Sequence, residues 1–176
     1  KTADGLRVSL LDGSAAVADS VLYATGRNPR TDGLGLTELG VQLAPNGAIL
    51  VDQHYQSSVP GIHAVGDVTA RVQLTPVALA EAMVLVDRLF GGGGRALDYE
   101  QIPTAVFTHP SIATVGLTEA QARERFGAVR VYRSDFRALR HTLSGSSERT
   151  LMKLVVAQAS DRVVGLHMVG ADTGEI

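Results

Sequence analysis

The residues with the clearest chemical potential lie in the string GIHAVGDVTARVQLTPVALAEAMVLVDRLF, from Gly61 to Phe90. Gly66-Asp67 follows a short apolar run, Ile62 to Val65, and Thr75-Pro76 opens a long apolar-rich segment after a polar crossing. A strand should end at Gly66-Asp67 and a helix begin at Thr75-Pro76. A helix opening beside the strand's carboxyl end presents free N–H groups and the positive end of its dipole. Nucleotides bind at that place in open α/β sheets, and an anion or an electron-rich ring is the natural occupant. Taken singly, Gly-Asp is also an ordinary strand-end turn and Thr-Pro an ordinary helix start; their spacing favours a shared ligand.

Those residues need a strand and a helix to hold them. Thr75 suits an N-cap and Pro76 the first helical position, where a missing N–H costs nothing. The pattern predicts a strand over Ile62–Val65 and a helix over Thr75–Phe90. Val77, Leu79, Ala80, Met83, Val84, Val86 and Leu89 spread over more than one helical face, which predicts a largely buried helix. Glu81, the one acid before Asp87, reads as a partly exposed or capping-neighbour carboxylate rather than a catalytic group.

Upstream, LRVSLL (6–11) and SVLYAT (20–25) read as two strands separated by the turn dipeptide Asp12-Gly13. ATGRNP follows, where Gly26 permits close approach of the backbone to a ligand and equally fits a plain inter-domain loop. A helical turn within 31–40, a Pro45-Asn46-Gly47 turn and a strand from Ala48 to Val51 read as scaffold. His54 and His63 have no second ligand nearby in sequence, which argues against a metal site. The Gly91–Gly94 run is a flexible connector, and a domain boundary is placed near Leu97. Beyond it the pattern predicts strands at 104–108, 112–117, 128–136, 150–157 and 163–168. A helix begins at the capping-box pair Thr118 and Gln121 and ends at Gly127. Together these make an antiparallel sheet carrying a helix. Arg137, Arg140 and Arg149 fall in a solvated basic loop.

The chain of 176 residues, with net charge -2 and a hydrophobic fraction of 45%, fits a globular protein of one or two domains. No basic, aromatic-interleaved patch points to nucleic acid, and no apolar run approaches the roughly 18 residues of a membrane span. The chain opens on KTADG, without a signal peptide or an initiating Met. Cysteine is absent, so a disulfide framework and a thiolate metal site are both excluded.

GIHAVGD followed by LTPVA resembles the flavin-binding segment of the pyridine nucleotide-disulfide oxidoreductases, and within them the glutathione reductase branch. The fold this implies is α/β plus α+β. Residues 1–30 would end an NAD(P)-binding domain, 31–97 would be the later part of an FAD-binding domain, and 98–176 an interface domain. By the resemblance Asp67, next to Gly66, accepts a hydrogen bond from a ribityl hydroxyl of FAD. The backbone from Leu74 through Thr75 and Pro76 to Val77 faces the pyrimidine end of the isoalloxazine. ATGR-P is similar to the family's exit from the pyridine nucleotide domain, which would put Gly26 beside the cofactor's pyrophosphate or ribose. PTAVFTHPSIATVGLTE resembles the entry to the interface domain, with backbone near Ala105 approaching the nicotinamide carboxamide and Gln73 close by. TLSG at 142–145 resembles the matching loop of bacterial and plant glutathione reductases and argues against the dihydrolipoamide dehydrogenases. Some family members carry an arginine against the disulfide substrate where this chain has Met83.

The resemblance implies FAD and NADPH as cofactors, oxidised glutathione as substrate, a homodimer and a cytoplasmic location. It leaves no catalytic residue in this chain. The redox cysteine pair is absent, and the family's His-Pro-Thr motif is unmatched, because His109-Pro110 is followed by Ser111. The chain therefore reads as an inactive fragment of a reductase. The alternatives are a non-catalytic dimerisation or binding module, or another member such as trypanothione reductase, mercuric reductase or dihydrolipoamide dehydrogenase.

Overall fold

The computed structural model describes residues 5–176. Two compact units divide between Leu85 and Val86. In the first, β1 (Leu6–Ser9) and β2 (Ala15–Ala18) form an antiparallel hairpin with Leu6 opposite Ala18. The turn is tight: Gly13 N donates to Leu10 O at 3.1 Å and Leu10 N to Ser14 O at 2.9 Å. The Ser14 hydroxyl and N–H both donate to the Asp12 carboxylate, which holds its pKa below the usual value. A chain reversed there must begin its return strand at once, so the second strand is Ala15–Ala18 and not 20–25. Residues 20–25 find no ladder partner among the described residues, and Leu22 and Tyr23 are exposed.

The rest of this unit is an irregular scaffold around one small core. Val41, Ile49 and Ala64 are buried, with Leu36, Leu43, Val51, Val59, Ile62 and Val68 packed on them. Residues 31–40 make single turns, and the strands expected at 48–51 and 62–65 are reduced to isolated bridges, Leu43 to Ile49, Val51 to Ser57 and Gln56 to His63. A strand needs a continuous ladder, and here the pairing is broken, with Ile49 bridging to Leu43 and Val51 to Ser57. Polar clips do the remaining holding. The Arg71 guanidinium donates to Val51 O at 2.9 Å and Asp52 O at 2.8 Å and lies 5.7 Å from the ring centre of buried Tyr55.

Helix α1 (Thr75–Phe90) follows, with its first i→i−4 bond from Ala78 N to Leu74 O. Leu74 is therefore the capping residue and Thr75 the first helical one, a shift of one position from the expected cap. Pro76 still sits in the first turn, where its missing N–H is harmless. The helix is not largely buried. Only Val77 and Glu81 are, while Leu79 is 65% and Met83 49% exposed. An apolar surface is covered only where a second layer lies on it, and among the described residues that layer meets α1 along the line of Val77 and Glu81. No helix among the described residues is long and apolar enough to cross a membrane.

The second unit is built on a five-stranded antiparallel sheet in the order β3-β4-β7-β6-β5. The strands are β3 (Thr104–Val106), β4 (Ile112–Gly116), β5 (Val129–Phe136), β6 (Thr150–Ala157) and β7 (Arg162–Val169). His109-Pro110 is a cis peptide between β3 and β4. Helix α2 (Glu119–Phe126) lies on one face, burying Ala122 against Val129 and Val155. Its start is a full capping box: Thr118 Oγ1 accepts from Gln121 N, and Gln121 Oε1 accepts from Thr118 N. Gly127 ends it. The register pairs Gly116 with Gly165, and both glycines are forced. A Cβ on Gly165 would lie 2.1 Å from Leu117 O, and one on Gly116 2.4 Å from Val164 O.

One element was not anticipated. Within the basic loop, Arg140–Ser144 forms a short helix, α3, closed by Gly145 at φ 70°. The arginines are tied down: Arg149 to Asp135 at 2.7 Å, Arg140 to Asp172 at 2.5 Å, and Arg137 to His141 O at 2.9 Å.

Candidate flavin-facing site

Gly66 opens a short 3-10 turn, Gly66–Thr69, in which Gly66 and Thr69 are buried. Its φ of +72° belongs to the left-handed region that favours glycine, and an added Cβ would stand 3.0 Å from Ala78 Cβ. The turn is thus pressed against the first turns of α1. Three contacts hold it. Gly66 N donates to Glu81 Oε2 at 2.5 Å, Thr69 Oγ1 donates to Gly66 O at 2.8 Å, and Ala70 N donates to Asp67 O at 3.0 Å. Glu81 is 1% exposed, which overturns its reading as a partly exposed acid. Side chains on a helix lean toward its N-terminus, so a residue in the second turn reaches back over the first.

Asp67 directs its carboxylate outward, 46% exposed, to Arg27 Nη2 at 2.5 Å. Gln73 Nε2 donates to Arg27 O at 3.4 Å. The chain segment at Gly26-Arg27, the acid at Asp67 and the approach to α1 at Gln73 are therefore one cluster. An exposed pair of this kind contributes about 0–1 kcal/mol, so a ligand hydroxyl can displace the guanidinium at little cost. Gly26 has φ +107° and open space where a Cβ would be, so its glycine serves the backbone conformation and leaves room above it.

At the helix start, the N–H groups of Thr75 and Val77 meet no acceptor among the described residues. Leu74 supplies its carbonyl to the first helical bond. Two free donors at the positive end of a 16-residue helix, with an exposed carboxylate nearby in the same unit, form a donor set that fits a ring edge carrying negative charge next to a hydroxylated chain. That is the chemistry of the flavin implied by the sequence resemblance.

Ala105 belongs to the second unit. It lies in the edge strand β3 opposite Ala113, half-buried, beside an apolar cavity of about 200 Å³ that Leu166 and Met168 also line. An edge strand leaves alternate backbone groups unpaired and able to receive a ligand amide.

Arg27 and Glu81 are the residues that sequence reasoning passed over. Arg27 was visible inside ATGRNP without a stated partner. For Glu81 the signal was an acid three and four residues beyond Ala78 and Val77, on the same helical face.

Both units have relatives among known proteins. Residues 1–82 match the pyridine nucleotide-disulphide oxidoreductase family, and residues 102–176 match the dimerisation domain of pyridine nucleotide-disulphide oxidoreductases. The chain is 52% identical over 171 residues to the glutathione reductase of Burkholderia cepacia, covering 97% of this chain and 38% of the relative. It is 46% identical to the chloroplastic/mitochondrial glutathione reductase of Pisum sativum, covering 100% and 32% respectively. Among solved structures it superposes on the HOCl-induced flavoprotein disulfide reductase RclA from Escherichia coli with a TM-score of 0.87 at 29% identity, covering 99% of this chain and 40% of that one. The chain thus spans about two-fifths or less of the length of these relatives.

Proposed function

The chain belongs to the pyridine nucleotide-disulphide oxidoreductases, and from that premise we propose that it forms the flavin-facing and dimer-forming part of an NADPH-dependent glutathione-disulfide reductase. In this reading Asp67 accepts a hydrogen bond from the ribityl chain of FAD, releasing Arg27. The N–H groups of Thr75 and Val77, with Leu74 and Pro76 shaping the same turn, face the pyrimidine edge of the ring. Fixed donors stabilise negative charge there without having to reorganise. Gly26 gives the backbone room beside the pyrophosphate or ribose of a dinucleotide, and the backbone at Ala105 receives the nicotinamide carboxamide. When bound, the flavin supplies the two-electron relay between nicotinamide and a disulfide.

The proposed division is 1–30 for the end of an NAD(P)-binding domain, 31–97 for the FAD-binding part, and 98–176 for the interface domain of a cytoplasmic homodimer. The likeness to glutathione reductases over nearly all of this chain supports glutathione disulfide over the substrates of other branches.

The observation that carries the proposal is the Gly66-Asp67 turn clamped to the first turns of α1, with an exposed carboxylate and free helix N–H groups in the same unit. In the full-length protein, Asp67→Ala is expected to raise the FAD dissociation constant by at least about tenfold, since a charge-assisted hydrogen bond contributes about 1.5–3 kcal/mol. NADPH oxidation should be fastest with oxidised glutathione. A full-length protein that binds no flavin, or one that prefers trypanothione or lipoamide, would refute the corresponding part of the proposal.

A further inference from the structure

We propose that Glu81 is a positioning residue for the flavin site: its buried carboxylate seats the Gly66 peptide on α1 and so fixes the direction in which Asp67 presents its own carboxylate to the ligand. The inference rests on the flavin reading above and deepens it.

Gly66 is clamped at both of its backbone groups. Its N–H is held by Glu81 Oε2 at 2.5 Å and its C=O by Thr69 Oγ1 at 2.8 Å. The N–H belongs to a buried residue, so water cannot take the place of the carboxylate. An anionic acceptor makes the shorter and stronger kind of bond. Steric contact acts in the same direction, because Gly66 already packs against Ala78, one turn before Glu81 on the same face. Asp67 is the next residue in the chain, and the orientation of the Gly66 backbone sets where its Cα–Cβ bond points.

The two acids divide the work by exposure. Glu81 is 1% exposed and faces the protein, whereas the Asp67 carboxylate is 46% exposed and faces outward. Glu81 therefore does not touch the ligand and acts through Asp67. An acid at this helical position is explained by that role, for the neighbouring buried residue on the same face, Val77, is apolar.

The test is a double-mutant cycle in the full-length, flavin-loaded protein, read by the FAD dissociation constant and by the position of the visible flavin absorption band. Glu81→Ala is expected to weaken FAD binding by about tenfold and to move the band. Glu81→Gln keeps an acceptor oxygen and should stay within about threefold of the parent. In an Asp67→Asn background, Glu81→Ala should add less than about twofold, because the group through which it acts is already altered. Ile49→Val, a core change in the same unit, controls for general destabilisation and should leave the band in place. An equal factor in both backgrounds, an unmoved dissociation constant and band, or an Ile49→Val variant that reproduces both changes would overturn the inference. If the parent binds flavin and Glu81→Ala binds it equally well, only this inference falls; a parent that binds none removes the flavin reading and this inference together.

Discussion

The two units of this chain solve the same problem by different means. In the second, every strand of a five-stranded sheet is laddered to its neighbour, and α2 closes over a core of Ala122, Val129 and Val155. In the first, outside its hairpin, three isolated bridges and a small cluster at Val41, Ile49 and Ala64 are supplemented by side-chain clips from Glu81, Arg71 and Thr31. A ladder distributes its energy over many equivalent bonds, so it tolerates the loss of one side chain. A clipped scaffold concentrates it, and single polar residues then decide local structure. The site proposed for the flavin is built on the clipped unit, where the backbone can adopt positive φ at Gly66 and Ala70 within a few residues. The regular ladder of the second unit suits an interface.

That contrast can be broken most severely from the side of the ladder. Gly165→Ala would put a Cβ 2.1 Å from Leu117 O, and the obstacle is backbone, so β4 and β7 must separate. The expected loss is about 3 kcal/mol or more, at the upper end of overpacking effects, read as a fall in the denaturant midpoint. Amide exchange should accelerate first at β4 and β7. A Gly165→Ala protein of unchanged midpoint would mean that the ladder yields as readily as the scaffold.

Next in size is Glu81→Ala, which leaves the buried Gly66 N–H without its acceptor and should cost about 1–3 kcal/mol. Glu81→Gln should recover much of that. Faster amide exchange confined to residues 62–70 would sharpen the distinction between the units; a change spread evenly through the chain would erase it.

Legibility in the sequence followed the same contrast. Strands β4 to β7 and the cap of α2 were readable because an antiparallel ladder repeats at period two and the Thr118–Gln121 box is a local device with its own hydrogen bonds. The first unit was harder. SVLYAT looked like a strand, yet the hydrogen bonds between Leu10 and Ser14 had already returned the chain, and residues 15–18 took the pairing. The burial of α1 was overestimated because periodicity reports which faces are apolar and not which face has a partner. Glu81 was misjudged for the converse reason: its acceptor role depends on Gly66, a residue fifteen positions away, brought near by tertiary packing. Helix α3 was missed because the polar TLSG string gives no apolar period.

The smallest expected effect tests whether the ladder unit also depends on a charged clip. Glu119, in the first turn of α2, receives Lys153 Nζ at 2.8 Å from β6 and Arg123 Nη2 at 2.9 Å from its own helix, with Arg133 of β5 at 3.7 Å. Hydrogen bonds from Lys153 and then Arg123 hold its carboxyl at about 2, against 4.5 for the free group. Because the folded value is the lower one, the unfolded chain binds the proton more readily. The stabilisation is therefore complete above about pH 4.5 and fades as pH falls toward 2. Glu119→Gln removes the titrating group, so the stability difference between variant and parent should shrink across that window and be constant above it. Added salt should reduce the difference, since the Arg123 and Arg133 side chains are mostly exposed and their charges are screened. A difference that persists unchanged at pH 2 would assign the contribution of Glu119 to packing and helix capping, and the clip between α2 and β6 would then owe nothing to charge.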